Sequence, residues 1–176
     1  MTEHSYWHRR GYREGIISAI SAGFFFILVG AIFIMTPNLF SRIIAFIEDF
    51  AIVQIPNTAI YFFGPARPLL LGHITVYRAI QEFSLVWAIF QIVILIIRAA
   101  ARSTLGKISE TASNIVFWFG ATYLIGIFLV ERTWLVSSLP LTVWFAFWAA
   151  IIVLVGLTMI VRAIILGVGL AVKRTV

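Results

Sequence analysis

The chain has no cysteine and little charge: 13 basic and 7 acidic side chains in 176 residues, or 11%. The missing thiols exclude a disulfide-stapled secreted module, thiolate metal sites, iron–sulfur ligation and a cysteine nucleophile. Soluble domains carry about 25% charged residues, and a chain with roughly half of that cannot cover a water-facing surface. An ordinary cytosolic globule and a disordered chain are both excluded. Also missing are the serine-hydrolase elbow, the phosphate-binding glycine loop, HExxH and the dinucleotide fingerprint. There is no Asn-x-Ser/Thr acceptor, and the 6 tryptophans form no periodic box. These absences point away from an enzyme and toward a chain without a resident cofactor.

What the sequence has is apolar length. Residues of the apolar classes make up 62% of the chain and aromatic residues 15%. A crossing needs about 20 mostly apolar residues, and four runs meet that. The reading is an all-α polytopic membrane protein: one four-helix domain, a bundle over 15–172, between a basic segment at 1–14 and a basic tail at 173–176. The crossings are expected at about 15–36, 73–98, 111–131 and 141–165. The first is uncharged from Gly15 and stops at Thr36-Pro37, where proline cannot extend a helix. It is too long for a signal-peptide core and reads as a retained anchor. The second reaches full length only when extended back to His73, which places Arg78 and Glu82 in its first turns. The third is uncharged from Thr111 to Val130, and the fourth starts after Pro140 and continues past Arg162 to about Val172.

Basic residues sort by connection. Arg9, Arg10, Arg13, Arg98, Arg102, Lys107, Lys173 and Arg174 fall on one side, and Arg42, Arg67 and Arg132 on the other. The positive-inside rule then gives a plasma-membrane protein with both termini cytoplasmic. The net charge of +6 reflects anchors beside anionic lipid headgroups. A nucleic-acid footprint would need those charges clustered on a soluble face.

Between the first two crossings lies a long connection, residues 37–72. Residues 38–53 alternate as an amphipathic helix, with Asn38, Ser41, Arg42, Glu48 and Asp49 on one side and Leu39, Phe40, Ile43, Ile44, Phe46, Ile47 and Phe50 on the other. Charge in its middle forbids a crossing, so it should lie at the interface or against the bundle. From Ile55 to Gly72 the prolines and glycines predict an irregular loop, either resting in the headgroups or re-entrant.

Candidate polar contacts are few. His4, His8 and His73 do not converge as metal ligands would. Arg78 and Glu82, four apart, share a helix face and can pair, and an intramembrane charge is a functional hypothesis by default. Tyr77, Ser84, Gln91 and Arg98 recur every seventh residue, a polar stripe that should face other helices, with Gln91 bonding across to Ser18, Ser21, Thr122, Tyr123 or Thr158. Asn114 opens the third crossing. Small residues four apart (Gly11, Gly15, Ser18 and Ala22 early; Ala163, Gly167 and Ala171 late) mark candidate helix contacts. The expected function is that of a non-catalytic accessory or scaffold subunit, packing with other membrane proteins or with itself. The alternative is an oligomeric transporter or channel for a small solute or ion. Lipid or quinone binding comes third.

Overall fold

The computed structural model describes residues 3–55, 59–66, 73–131 and 140–174. Expectations on Pro56, Arg67, Pro68, Gly72, Arg132, Trp134 and residues 175–176 lie outside these, as do the side chains before Glu14 and those of Lys173 and Arg174. Helix α1 runs Glu3–Met35, so the basic segment at 1–14 is largely a helical extension of the first span. Pro37 ends it, and Asn38 turns the chain at φ 57°, a left-handed conformation its short polar side chain tolerates. Helix α2, Leu39–Glu48, follows. Helices α3 (Ile74–Ala100), α4 (Leu105–Ile125) and α5 (Pro140–Arg174) complete the fold. Four stretches are long and apolar enough to cross a membrane: Glu14–Met35, Ile74–Ala100, Leu105–Val130 and Leu141–Gly169.

The connection from α2 to α3 differs from expectation. Helix α2 ends five residues early, and strands β1 (Phe50–Gln54) and β2 (Tyr61–Pro65) form an antiparallel hairpin, Ile52 opposite Phe63 and Gln54 opposite Tyr61. The reason lies in residue type. Ile52, Val53, Tyr61, Phe62 and Phe63 are β-branched or aromatic, and such side chains fit a pleated surface better than a helix. The ladder also pairs backbone groups that an irregular loop would leave without a backbone partner.

The α3–α4 turn is a Schellman closure: Ser103 N–H donates to the Arg98 carbonyl at 2.9 Å and Arg102 N–H to that of Ala99 at 3.1 Å, with Arg102 left-handed at φ 52°. Helix α4 then loosens into a π turn over Gly126–Val130, where Glu131 N–H reaches the Gly126 carbonyl at 2.7 Å. π turns mark functional or strained places.

The main helix contacts run α1 with α3, α3 with α4, and α4 with α5. The four spans therefore form an open row, with α1 and α5 as edges that each have one principal neighbour among the described helices. Close approaches explain the order. A methyl group at Gly120 would strike Leu154, one at Gly169 would strike Leu105, and one at Gly126 would meet Gln81. These glycines seat α5 and α3 against α4. Helix α1 is held by rings instead: Phe24 stacks on Phe90 at 3.8 Å and Phe25 meets Phe83 and Trp87 edge-on.

Candidate functional site

Buried polarity is concentrated at the two ends of the helix row. At the end carrying the hairpin, Asp49 sits where α2 hands over to β1. Its carbonyl accepts the Ala66 N–H at 2.8 Å, which ties the far side of the hairpin to the end of α2. Its carboxylate accepts a hydrogen bond from His73 Nε2–H at 3.3 Å. His73 is the residue before α3, and its ring makes no cap bond to that helix because it is turned to Asp49. Both side chains are sealed: His73 is 2% exposed and Asp49 8%. Phe46 closes over them, its ring 5.0 Å from the imidazole and 5.6 Å from the Tyr77 ring. The pair joins the α2–β1 junction to the start of α3, 24 residues further along the chain.

Beside the pair opens a cavity of about 470 Å³, walled by Phe46, Phe50, Phe63, Tyr77, Trp144 and Phe147, with Leu129 of the π turn and Ile80 of α3 also exposed to it. Asp49 and His73 do not line the cavity, so among the described residues its wall is mostly apolar. Such a space suits a hydrocarbon chain or flat ring and supplies no acid, base or nucleophile of its own.

At the opposite end, Arg98 near the end of α3 lies 4.0 Å from Glu14 of α1, too far for a hydrogen bond. Glu14 Oε2 and Arg98 Nε are both buried and without a hydrogen-bond partner. The guanidinium bonds elsewhere: Nη1 donates to the Lys107 carbonyl at 3.1 Å and to the Thr111 hydroxyl. This end is a clamp between α1, α3 and the start of α4. Thr111 Oγ1–H in turn donates to the Lys107 carbonyl at 2.9 Å.

The sequence-derived candidates fall as follows. Tyr77, Ser84 and Gln91 are buried on the inner face of α3, in line with Arg98. Ser84 donates to the Ile80 carbonyl of its own helix at 2.7 Å, which leaves nothing to reach across. Gln91 has no hydrogen bond to any of its proposed partners; Ser21, Thr122 and Thr158 donate within their own helices. The cross-helix amide is instead Gln81, whose Nε2–H donates to the Thr122 carbonyl at 3.4 Å, packed against Gly126. Gln81 lies on the same helical face as Tyr77 and Ser84, and that spacing could have exposed it. Asp49 had no such signal, because its partner is set by the hairpin. Glu14 had one: α1 and α3 run antiparallel, so the start of one span and the end of the other share a depth.

Arg78 and Glu82 are both exposed, and among the described residues no ion pair joins them. Asn114 is exposed as well. Among the described residues nothing packs on the small-residue candidates: Ser18, Ala22, Ala163 and Ala171 are exposed, and a methyl group at Gly15 or Gly167 would meet open space. Gly11 lies in α1, with its surroundings outside the described side chains.

Four spans and a largely apolar exterior define a polytopic helical membrane protein. No family model, characterised protein or solved structure matches the chain.

Proposed function

We propose that this chain is a non-catalytic subunit of the plasma membrane, one that packs laterally with other membrane proteins or with itself. The observation that carries the reading is the pair of edges. Helices α1 and α5 present small residues (Gly15, Ser18, Ala22; Ala163, Gly167, Ala171) to the outside, with nothing over the glycines. Small residues on a span allow backbones to approach, and in lipid close packing takes the place of the hydrophobic effect between helices. The polar clusters support the same reading, since each joins separate segments of the chain: Asp49 to His73, Glu14 to Arg98. The distribution of Lys and Arg supports cytoplasmic termini, which puts the hairpin on the outer face. Single-molecule photobleaching of a labelled chain in native membrane vesicles, with stoichiometric co-purification in mild detergent, tests the proposal. Two or more chains per particle, or one companion chain at fixed ratio, is the expected result. A lone chain in both assays overturns it.

The aromatic cavity favours a second reading, binding of a lipid chain or quinone-type ring. Mass spectrometry of the protein released from detergent should then find one apolar molecule per chain, lost in Ile80→Trp, which fills the cavity. Equal lipid content in both forms removes this reading.

A further inference from the structure

The exposed face of α3 carries an acid and a base in one row, which the described exposed side chains of α1 and α5 do not. Arg78, Glu82, Leu85, Ile89, Ile92 and Ile96 are all exposed, and they follow one another at steps of four, three, four, three and four. That is a heptad seam, 3.5 residues per turn, the spacing that winds two helices around each other left-handedly. The other faces of α3 are occupied. Phe83, Trp87 and Phe90 meet α1 or α4, while Gln81 bonds to α4.

The seam also carries charge on the part of α3 nearest the hairpin. Helix α3 has 27 residues and is about 40 Å long, close to the full thickness of a bilayer with its headgroups. Glu82 lies about 12 Å along it from the hairpin end, below the headgroup layer, and Arg78 one turn nearer the surface. Charges at such depth ordinarily face protein or water and pair with one another. Among the described residues neither has a partner.

Resting on the subunit reading, we infer that two copies of this chain pair along the α3 seam about a twofold axis normal to the membrane. Each Arg78 meets the partner's Glu82. Both copies insert with the same orientation, so facing α3 helices are parallel, and a twofold axis makes every contact reciprocal. The seam carries its own acid and base one turn apart and is complementary to itself; a long arginine side chain spans the one-turn offset in depth. Leu85, Ile89, Ile92 and Ile96 then interdigitate below the charges.

The chain lacks cysteine, so single-cysteine variants of the full protein can be oxidised in native vesicles without background. Leu85→Cys, Ile89→Cys, Ile92→Cys and Ile96→Cys should give disulfide dimers, and the off-seam exposed positions Val86→Cys and Ile97→Cys little. In the Ile89→Cys background, Glu82→Arg or Arg78→Glu should lower dimer yield about threefold or more, and the double reversal should restore it. Equal yields on and off the seam, or no effect of either reversal, overturn the α3 dimer. Dimers at Ala22→Cys or Ala163→Cys instead overturn it while leaving the subunit reading intact. No dimer anywhere, with one chain per particle, overturns both.

Discussion

The two ends of the helix row bury a carboxylate in different ways. At the hairpin end Asp49 and His73 are within hydrogen-bond distance, enclosed by Phe46 and almost completely sealed. At the other end Glu14 and Arg98 stand 4.0 Å apart, partly exposed, and the guanidinium spends its donors on Lys107 and Thr111. A sealed pair depends on both members, because removing one leaves a polar group with neither partner nor water. A looser pair with other bonds and some solvent tolerates loss. The hairpin end should therefore be the more fragile, although it is the less regular in backbone.

The strongest test of this contrast is Asp49→Ala, which strands His73 in a dry pocket. We expect a loss of about 3 kcal/mol in unfolding free energy in a mild detergent, with detachment of the hairpin seen as proteolysis between α2 and α3. Arg98→Ala should cost less, about 1–2 kcal/mol, since Glu14 keeps partial contact with solvent. If Arg98→Ala is the more damaging of the two, the assigned order of the ends is wrong.

Glycines sharpen the same comparison between occupied and open faces. Gly120→Ala pushes a methyl group into Leu154 and should destabilise by about 1–3 kcal/mol. Gly167→Ala, with nothing nearby, should be neutral or stabilise by up to about 1 kcal/mol through helix propensity. Thermal unfolding of the pair in one detergent reads the difference; equal effects would mean that the α4–α5 contact is not as close as described. The smallest effect belongs to the exposed Lys107–Glu110 pair at 3.0 Å: Glu110→Gln should change stability by about 0.5 kcal/mol or less.

The spans were legible because partition into lipid is a sum over local residues. Pro37, Pro140 and the uncharged runs between Lys and Arg set their ends within a few residues. The polar stripe was also legible as a face, since Tyr77, Ser84 and Gln91 share a helical angle. Their partners were not. Whether Ser84 bonds across or along its own helix is decided by rotamer and neighbour, and the seven-residue spacing is silent on that. The hairpin was missed because proline and glycine in residues 55–72 pointed to an irregular loop, while Gly64 and Pro65 joined the β-branched and aromatic residues in the ladder. The small-residue stripes pointed to contact, yet within the chain the contacts that occur are at Gly120, Gly126 and Gly169. A short side chain permits close approach and cannot by itself say what approaches.

Composition and periodicity alone determined that this chain has four apolar spans, roughly where they lie, and which face of the second one is polar, because those follow from transfer free energies of residues close in sequence. Only the tertiary structure decided the order of the helices in an open row, the meeting of Asp49 with His73 across the hairpin, and the exposure of the Arg78–Glu82 face. Each of these depends on which distant surfaces fit together at van der Waals distance, and that is a property of shape that no single stretch of sequence contains.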